Sequence, residues 1–179
     1  DTPLGQVLHD MAERRISCVV IVEMDRPVGI FTERDSVSLM ASGEYRDDTP
    51  ISQYMHEPVV TDRLTMDSHR AFQTMTARGV RHMVIVDAQG RFVGLVTEGD
   101  LIHALGDEPL IQPKTAADAM TRAVATLDEN DTLENAARCM AKRNVGGIIV
   151  TRSDMPVGIL TERDIVRLFR EQAEPSAVP

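Results

Sequence analysis

The sequence predicts an α/β (α+β) fold built from three tandem repeats, each in the order strand, helix, strand, strand, helix. Three observations carry this. An eight-residue phrase, VGIFTERD at 28–35, returns as VGLVTEGD at 93–100 and as VGILTERD at 157–164. The aspartates that end it, Asp35, Asp100 and Asp164, lie 65 and 64 residues apart. The same succession of helical and strand patterns surrounds each copy, and a fixed period of that size marks a repeat architecture.

The first helix of each unit comes from spacing. Leu4, Val7, Leu8 and Met11 fall at i, i+3, i+4 and i+7, one face of a helix, with Thr2 and Pro3 as N-cap and first-turn residue. Leu133, Ala136, Ala137 and Met140 repeat that spacing, whereas unit two keeps only Ala71, Phe72 and Met75, with Ser68 at the first position. Short β-branched runs follow, Cys18–Val22, Met83–Val86 and Ile148–Val150, and these read as buried strands. Polar turns at 24–26, 87–90 and 153–155 join them as hairpins to the strands 28–32, 92–97 and 157–161. The closing helices carry Val37, Leu39 and Met40; Leu101, Ile102 and Leu105; and Ile165, Val166, Leu168 and Phe169. Lead-in strands at 58–61 and 123–126 end in Thr61 and Thr126, and unit one lacks one because the sequence starts too late. The polar stretches 41–50 and 106–114 suit unit boundaries, giving units at 1–48, 49–112 and 113–179.

Composition narrows the function classes. The net charge is −9, with only 3% aromatic residues and no Trp. Phosphate-backbone contacts need a basic face, so no nucleic acid is expected, and no membrane insertion, since no apolar run nears the ~18 residues of a spanning helix. Cys18 and Cys139 read as two buried thiols in a reducing cytoplasm. The abrupt start at Asp1-Thr2-Pro3 suggests a piece of a longer protein. The five histidines show neither helical pairing nor metal spacing with cysteine, and neither a phosphate-loop nor a dinucleotide motif is present. No catalytic residue, metal site or required cofactor is therefore expected.

The three phrases, with Gly79-Val80-Arg81-His82-Met83-Val84-Ile85-Val86-Asp87, resemble tandem CBS repeats, the cystathionine-β-synthase-type regulatory domains. The resemblance spans nearly the whole chain. It departs in lacking the strand proline (Val20, Val84 and Ile149 stand there), in Gly146-Gly147 where unit two has Arg81-His82, and in an odd repeat number. It implies repeats paired through their sheets into a pseudo-two-fold Bateman module. Such modules bind adenine nucleotide (AMP, ADP or ATP) or S-adenosylmethionine in clefts between repeats and control an effector domain, here one outside this sequence. A non-binding dimerisation scaffold of degenerate repeats is the alternative.

Thr-Glu-x-Asp at a strand-to-helix junction fits both readings. It resembles a capping box, although Asp is shorter than the preferred Glu, and a helix N-terminus also offers N–H groups to phosphate. The resemblance implies that Thr32 and Asp35, Thr97 and Asp100, and Thr161 and Asp164 contact ribose or phosphate. Arg34 and Arg163 either reach phosphate or, more commonly for such a residue, stay solvated on the first turn of the helix. In the family, basic residues at the places of Arg81 and His82 meet phosphate, the other reading being an exposed strand-start pair. Thr61 and Thr126 either contact base or ribose or are plain strand threonines. Because about 60 residues barely suffice for a core, and unit three's sheet lacks a partner, a homodimer through unit three's sheet or helices is expected.

Overall fold

The computed structural model describes residues 2–105 and 115–173. Its helices are α1 (Leu4–Arg14), α2 (Glu33–Ser42), α3 (Ser68–Arg78), α4 (Glu98–Leu105), α5 (Ala116–Ala119), α6 (Leu133–Arg143) and α7 (Glu162–Ala173). Its strands are β1 (Cys18–Glu23), β2 (Arg26–Thr32), β3 (Thr61–Arg63), β4 (His82–Val86), β5 (Phe92–Thr97), β6 (Thr126–Asp128), β7 (Gly147–Arg152) and β8 (Met155–Thr161). The predicted order holds: β3-β4-β5 and β6-β7-β8 are three-stranded sheets, each a parallel pair closed by an antiparallel hairpin, and β1-β2 is a hairpin alone. The expected linker at 106–114 lies outside the described residues.

The chain divides into two compact units, one made of the described residues of Asp1–Val19, Phe31–Met55 and Thr121–Pro179, the other of Val20–Ile30 and the described residues of His56–Met120. In the first, helices make the core: α2 packs on α6 and α7, and α1 on α7. The stripe Leu4, Val7, Leu8 and Met11 is buried as its spacing requires, as are Ala136, Ala137 and Met140. Leu133, expected on that stripe, is instead partly exposed beside β8. The loop after α2 closes over the start of α1. Thr49 and Asp47 carbonyls accept from the Leu4 and Gly5 amides, and a Cβ on Gly5 would meet Asp47 at 3.1 Å. That contact also corrects the expected cap. A bridge to Pro50 holds Pro3 extended at ψ 145°, so Pro3 occupies the N-cap and α1 begins at Leu4. In the second unit, Ala71, Met75, Met83 and Leu101 form the core, flanked by Val60, Phe72 and Val96.

Two hairpins turn more tightly than the sequence suggested. Met24-Asp25 and Ser153-Asp154 alone make their turns, each with φ between 46° and 64°, so Arg26 and Met155 already belong to strands. Turns with two positive φ angles match the strand twist, but a side chain there costs about 1 kcal/mol or more. Asp154→Gly should therefore raise stability by about 1 kcal/mol, seen as a melting temperature up by roughly 2–4 °C; an unchanged or lower value refutes the account. The lead-in strands also start later than expected. Parallel pairing begins at Thr61↔Val84 and Thr126↔Ile149, so both threonines open strands rather than end them.

Candidate functional site

Each phrase folds in the same way. The strand ends on the Thr, the Glu opens the helix, and the Glu amide donates to the carbonyl just before the unit's first hairpin strand: Glu33 to Ser17 at 3.0 Å, Glu98 to Arg81 at 2.9 Å, Glu162 to Gly146 at 3.1 Å. One Asp oxygen, Oδ2, then accepts both the amide and the hydroxyl of the Thr. These distances are 2.7 and 2.8 Å for Thr32–Asp35, 2.9 and 2.7 Å for Thr97–Asp100, and 2.9 and 2.6 Å for Thr161–Asp164. The short Asp thus reaches back fully, because the extended Thr brings its own amide and hydroxyl together on that oxygen. With Oδ2 so occupied in each copy, the other oxygen of Asp164 faces Arg167 Nη2 at 3.5 Å, while the Asp100 side chain stands exposed.

Environment separates the three copies. Asp35 is buried, Asp164 partly buried and Asp100 exposed. Hydrogen bonds from the Thr97 hydroxyl and amide hold Asp100 below the ordinary carboxylate range. For Asp164 burial pushes upward, but the Thr161 hydrogen bonds and the charges of Arg167 and Arg163 outweigh it and the net direction is down. Both carboxylates are therefore ionised at neutral pH and act as acceptors. Burial, then the charge of Glu33, pushes the Cys18 thiol up to about 11, so it stays protonated. Cys139, expected buried, is only half-buried at the α6 surface.

The first unit brings Thr32, Arg34, Asp35, Thr161, Arg163 and Asp164 into one neighbourhood, since α2 packs on α7. There Arg34 Nε donates to Glu162 Oε1 at 3.1 Å, and Arg163 Nε donates to Glu33 Oε1 at 2.9 Å. The pairs cross between phrases 128 and 130 residues apart. These glutamates were not among the expected site residues; the clue was the Glu kept in all three phrases beside an Arg in only two. Thr126, opening β6 opposite Ile149, belongs to this unit as well. The second unit holds Thr61, Arg81, His82, Thr97 and Asp100. There His82 lies directly across from Thr97, the position Gly147 takes across from Thr161, and Arg81 is tied to α4 through its carbonyl. Gly99 stands where the other phrases have Arg.

Among the described residues no helix is long and apolar enough to cross a membrane, and no group of three or more His, Cys, Asp or Glu could hold a metal ion. The CBS domain family model matches residues 1–35, 51–107 and 116–171. An uncharacterised protein, MK0525 of Methanopyrus kandleri, is 36% identical over 100 residues, covering 55% of this chain and 51% of that one. MJ1225 of Methanocaldococcus jannaschii is 26% identical over 94% of this chain and 65% of its own length. The crystal structure of MJ1225, proposed as an archaeal homologue of γ-AMPK, superposes with a TM-score of 0.82 over 93% of this chain and 66% of that one. The CBS domain protein PAE2072 of Pyrobaculum aerophilum, solved in complex with AMP, has a TM-score of 0.52 at 22% identity over 60% of this chain and 87% of its own, a likeness of fold. The chain thus spans half to two thirds of the length of its curated relatives MK0525 and MJ1225.

Proposed function

We propose that this chain, which belongs to the CBS-domain family, is a cytoplasmic, non-catalytic ligand-sensing module that binds adenine nucleotide and controls an attached or associated effector. The observation that carries this reading is the threefold Thr-Glu-x-Asp turn, in which Oδ2 of each Asp is committed to the Thr. At Asp100, exposed and ionised at neutral pH, this offers a charged acceptor for ribose hydroxyls beside a helix N-terminus suited to phosphate, and Asp164 is likewise ionised beside Arg167. MJ1225 shares this fold over nearly the whole chain, and PAE2072 carries AMP on the same fold. S-adenosylmethionine, with the same adenosyl group, is the second candidate ligand.

The test uses Asp100, whose exposure makes its replacement gentle on the fold. Calorimetry with AMP, ADP, ATP and S-adenosylmethionine should show binding, weakened by roughly 1–3 kcal/mol in Asp100→Asn, the range for a hydrogen bond to a charged group. Unchanged affinity removes Asp100 from the site, and no binding by any of the four favours the scaffold reading. One observation supports that rival. Thr115 and Asp118 make the same capping box at α5, outside the three phrases, so the box can serve a helix alone.

Either reading uses self-association. Repeat three's sheet turns Val157 and Ile159, 49% and 62% exposed, to the outside beside Leu127, Leu133 and Val150. An apolar face of this kind is a partner site, and a two-fold copy of the same face is the simplest cover. Light scattering should give twice the chain mass of 19.8 kDa, and Ile159→Asp should return the monomer; a wild-type monomer at all micromolar concentrations refutes the dimer.

A further inference from the structure

The crossed ion pairs of the first unit point beyond binding at separate phrases. Each glutamate is the inner member of its pair: the Glu162 and Glu33 side chains are 5% and 11% exposed, against 37% and 60% for Arg34 and Arg163. Both glutamates are also anchored through their own amides to the Ser17 and Gly146 carbonyls. A carboxylate so placed is a fixed post, and the arginine is the limb that leans on it. Each guanidinium spends Nε on that post, and among the described residues no further hydrogen bond from either guanidinium is seen. A guanidinium has five N–H donors in a rigid plane, so fixing Nε also fixes the direction of the two terminal amino groups. Those groups are the ones that grip a phosphate bidentately.

We propose that Glu33 and Glu162 are positioning residues acting across repeats, each orienting the arginine of the other repeat's phrase toward a ligand phosphate, so that the phrases of repeats one and three bind phosphate as one coupled pair. The inference rests on the nucleotide reading for the source of the phosphate, and it gives the two phrases a dependence that neither has locally. Repeat two is the internal control. Gly99 replaces the arginine there, so its phrase has a Glu, Glu98, with no arginine of its own to exchange. Moving one arginine to a misoriented phosphate would take a charged partner from an almost buried carboxylate, which makes the orientation stiff rather than adaptable.

The experiment is calorimetry with two probes, inorganic triphosphate and adenosine, on the wild-type chain, Glu162→Gln, Glu33→Gln and Glu98→Gln. Gln keeps the size and a hydrogen-bond acceptor but removes the charge. Triphosphate should bind about tenfold more weakly to Glu162→Gln and to Glu33→Gln, as for a lost charged hydrogen bond, with adenosine unchanged and Glu98→Gln like wild type. Equal loss of both probes means a merely structural role and overturns the proposal, as does triphosphate affinity unchanged in both variants. If a Gln variant does not fold, Arg34→Lys replaces it. Lysine keeps the charge but has no Nε fork, and retained triphosphate affinity there also overturns the proposal. Wild type binding triphosphate but not adenosine leaves the coupled pair standing and removes the nucleoside reading. The reverse pattern removes the coupled pair alone, and binding of neither probe removes both.

Discussion

Met140→Ala should cost about 3 kcal/mol of stability, within the range for emptying a core methionine site, and so a large share of a typical domain's total. Met140 is 1% exposed and ends the buried stripe of α6 that begins the packing against α2. Its neighbours on that stripe, Ala136 and Ala137, are themselves fully buried and too small to move into the space. Arg138 also ties α6 to α2 through the Ala41 carbonyl at 3.3 Å, which limits collapse of the helix pair. Urea unfolding should show the midpoint fall. Met155→Ala supplies the contrast: Met155 is 67% exposed at the start of β8 and its loss should stay within about 0.5 kcal/mol. Equal effects at the two positions would mean that the helix layer is not the core.

Arg34→Met should be nearly as damaging, by about 2–3 kcal/mol, and the double variant Arg34→Met/Glu162→Met should be less damaging than the single. Removing the arginine takes the Arg34 charge from beside the Glu162 carboxylate, 5% exposed, and a buried charge that loses a charged partner costs more than the pair contributes. The value sits below that of a fully buried pair because Arg34 itself is 37% exposed and solvent softens the loss. Replacing both groups by apolar ones removes the desolvation cost along with the attraction. Urea midpoints for the two singles and the double give the coupling directly. A double variant as unstable as the sum of its singles would mean that the pair is incidental.

Element order and type were legible because they are local. The i, i+3, i+4, i+7 spacing that placed Leu4, Val7, Leu8 and Met11 on one face needs no partner to be read. Errors came where a distant contact set the local geometry: Pro50 drew Pro3 out of the helix, and parallel pairing moved the starts of β3 and β6 to Thr61 and Thr126. The threonine–aspartate pairs were likewise legible, being three residues apart, and the structure joins each pair through one oxygen.

By itself, then, the sequence determined the three repeats, through the 65- and 64-residue spacing of one phrase, and the element types and three alike turns, which are set locally by spacing and backbone preference. Tertiary structure alone decided which turns meet. Repeats one and three share a helical core, so Arg34 finds Glu162 and Arg163 finds Glu33, while Gly99 leaves repeat two without a counterpart. The physical reason is that an ion pair 128 residues apart has no period or local propensity to announce it. Its existence depends on which helix faces bury each other, and that follows from the sum of many weak apolar contacts over the whole unit.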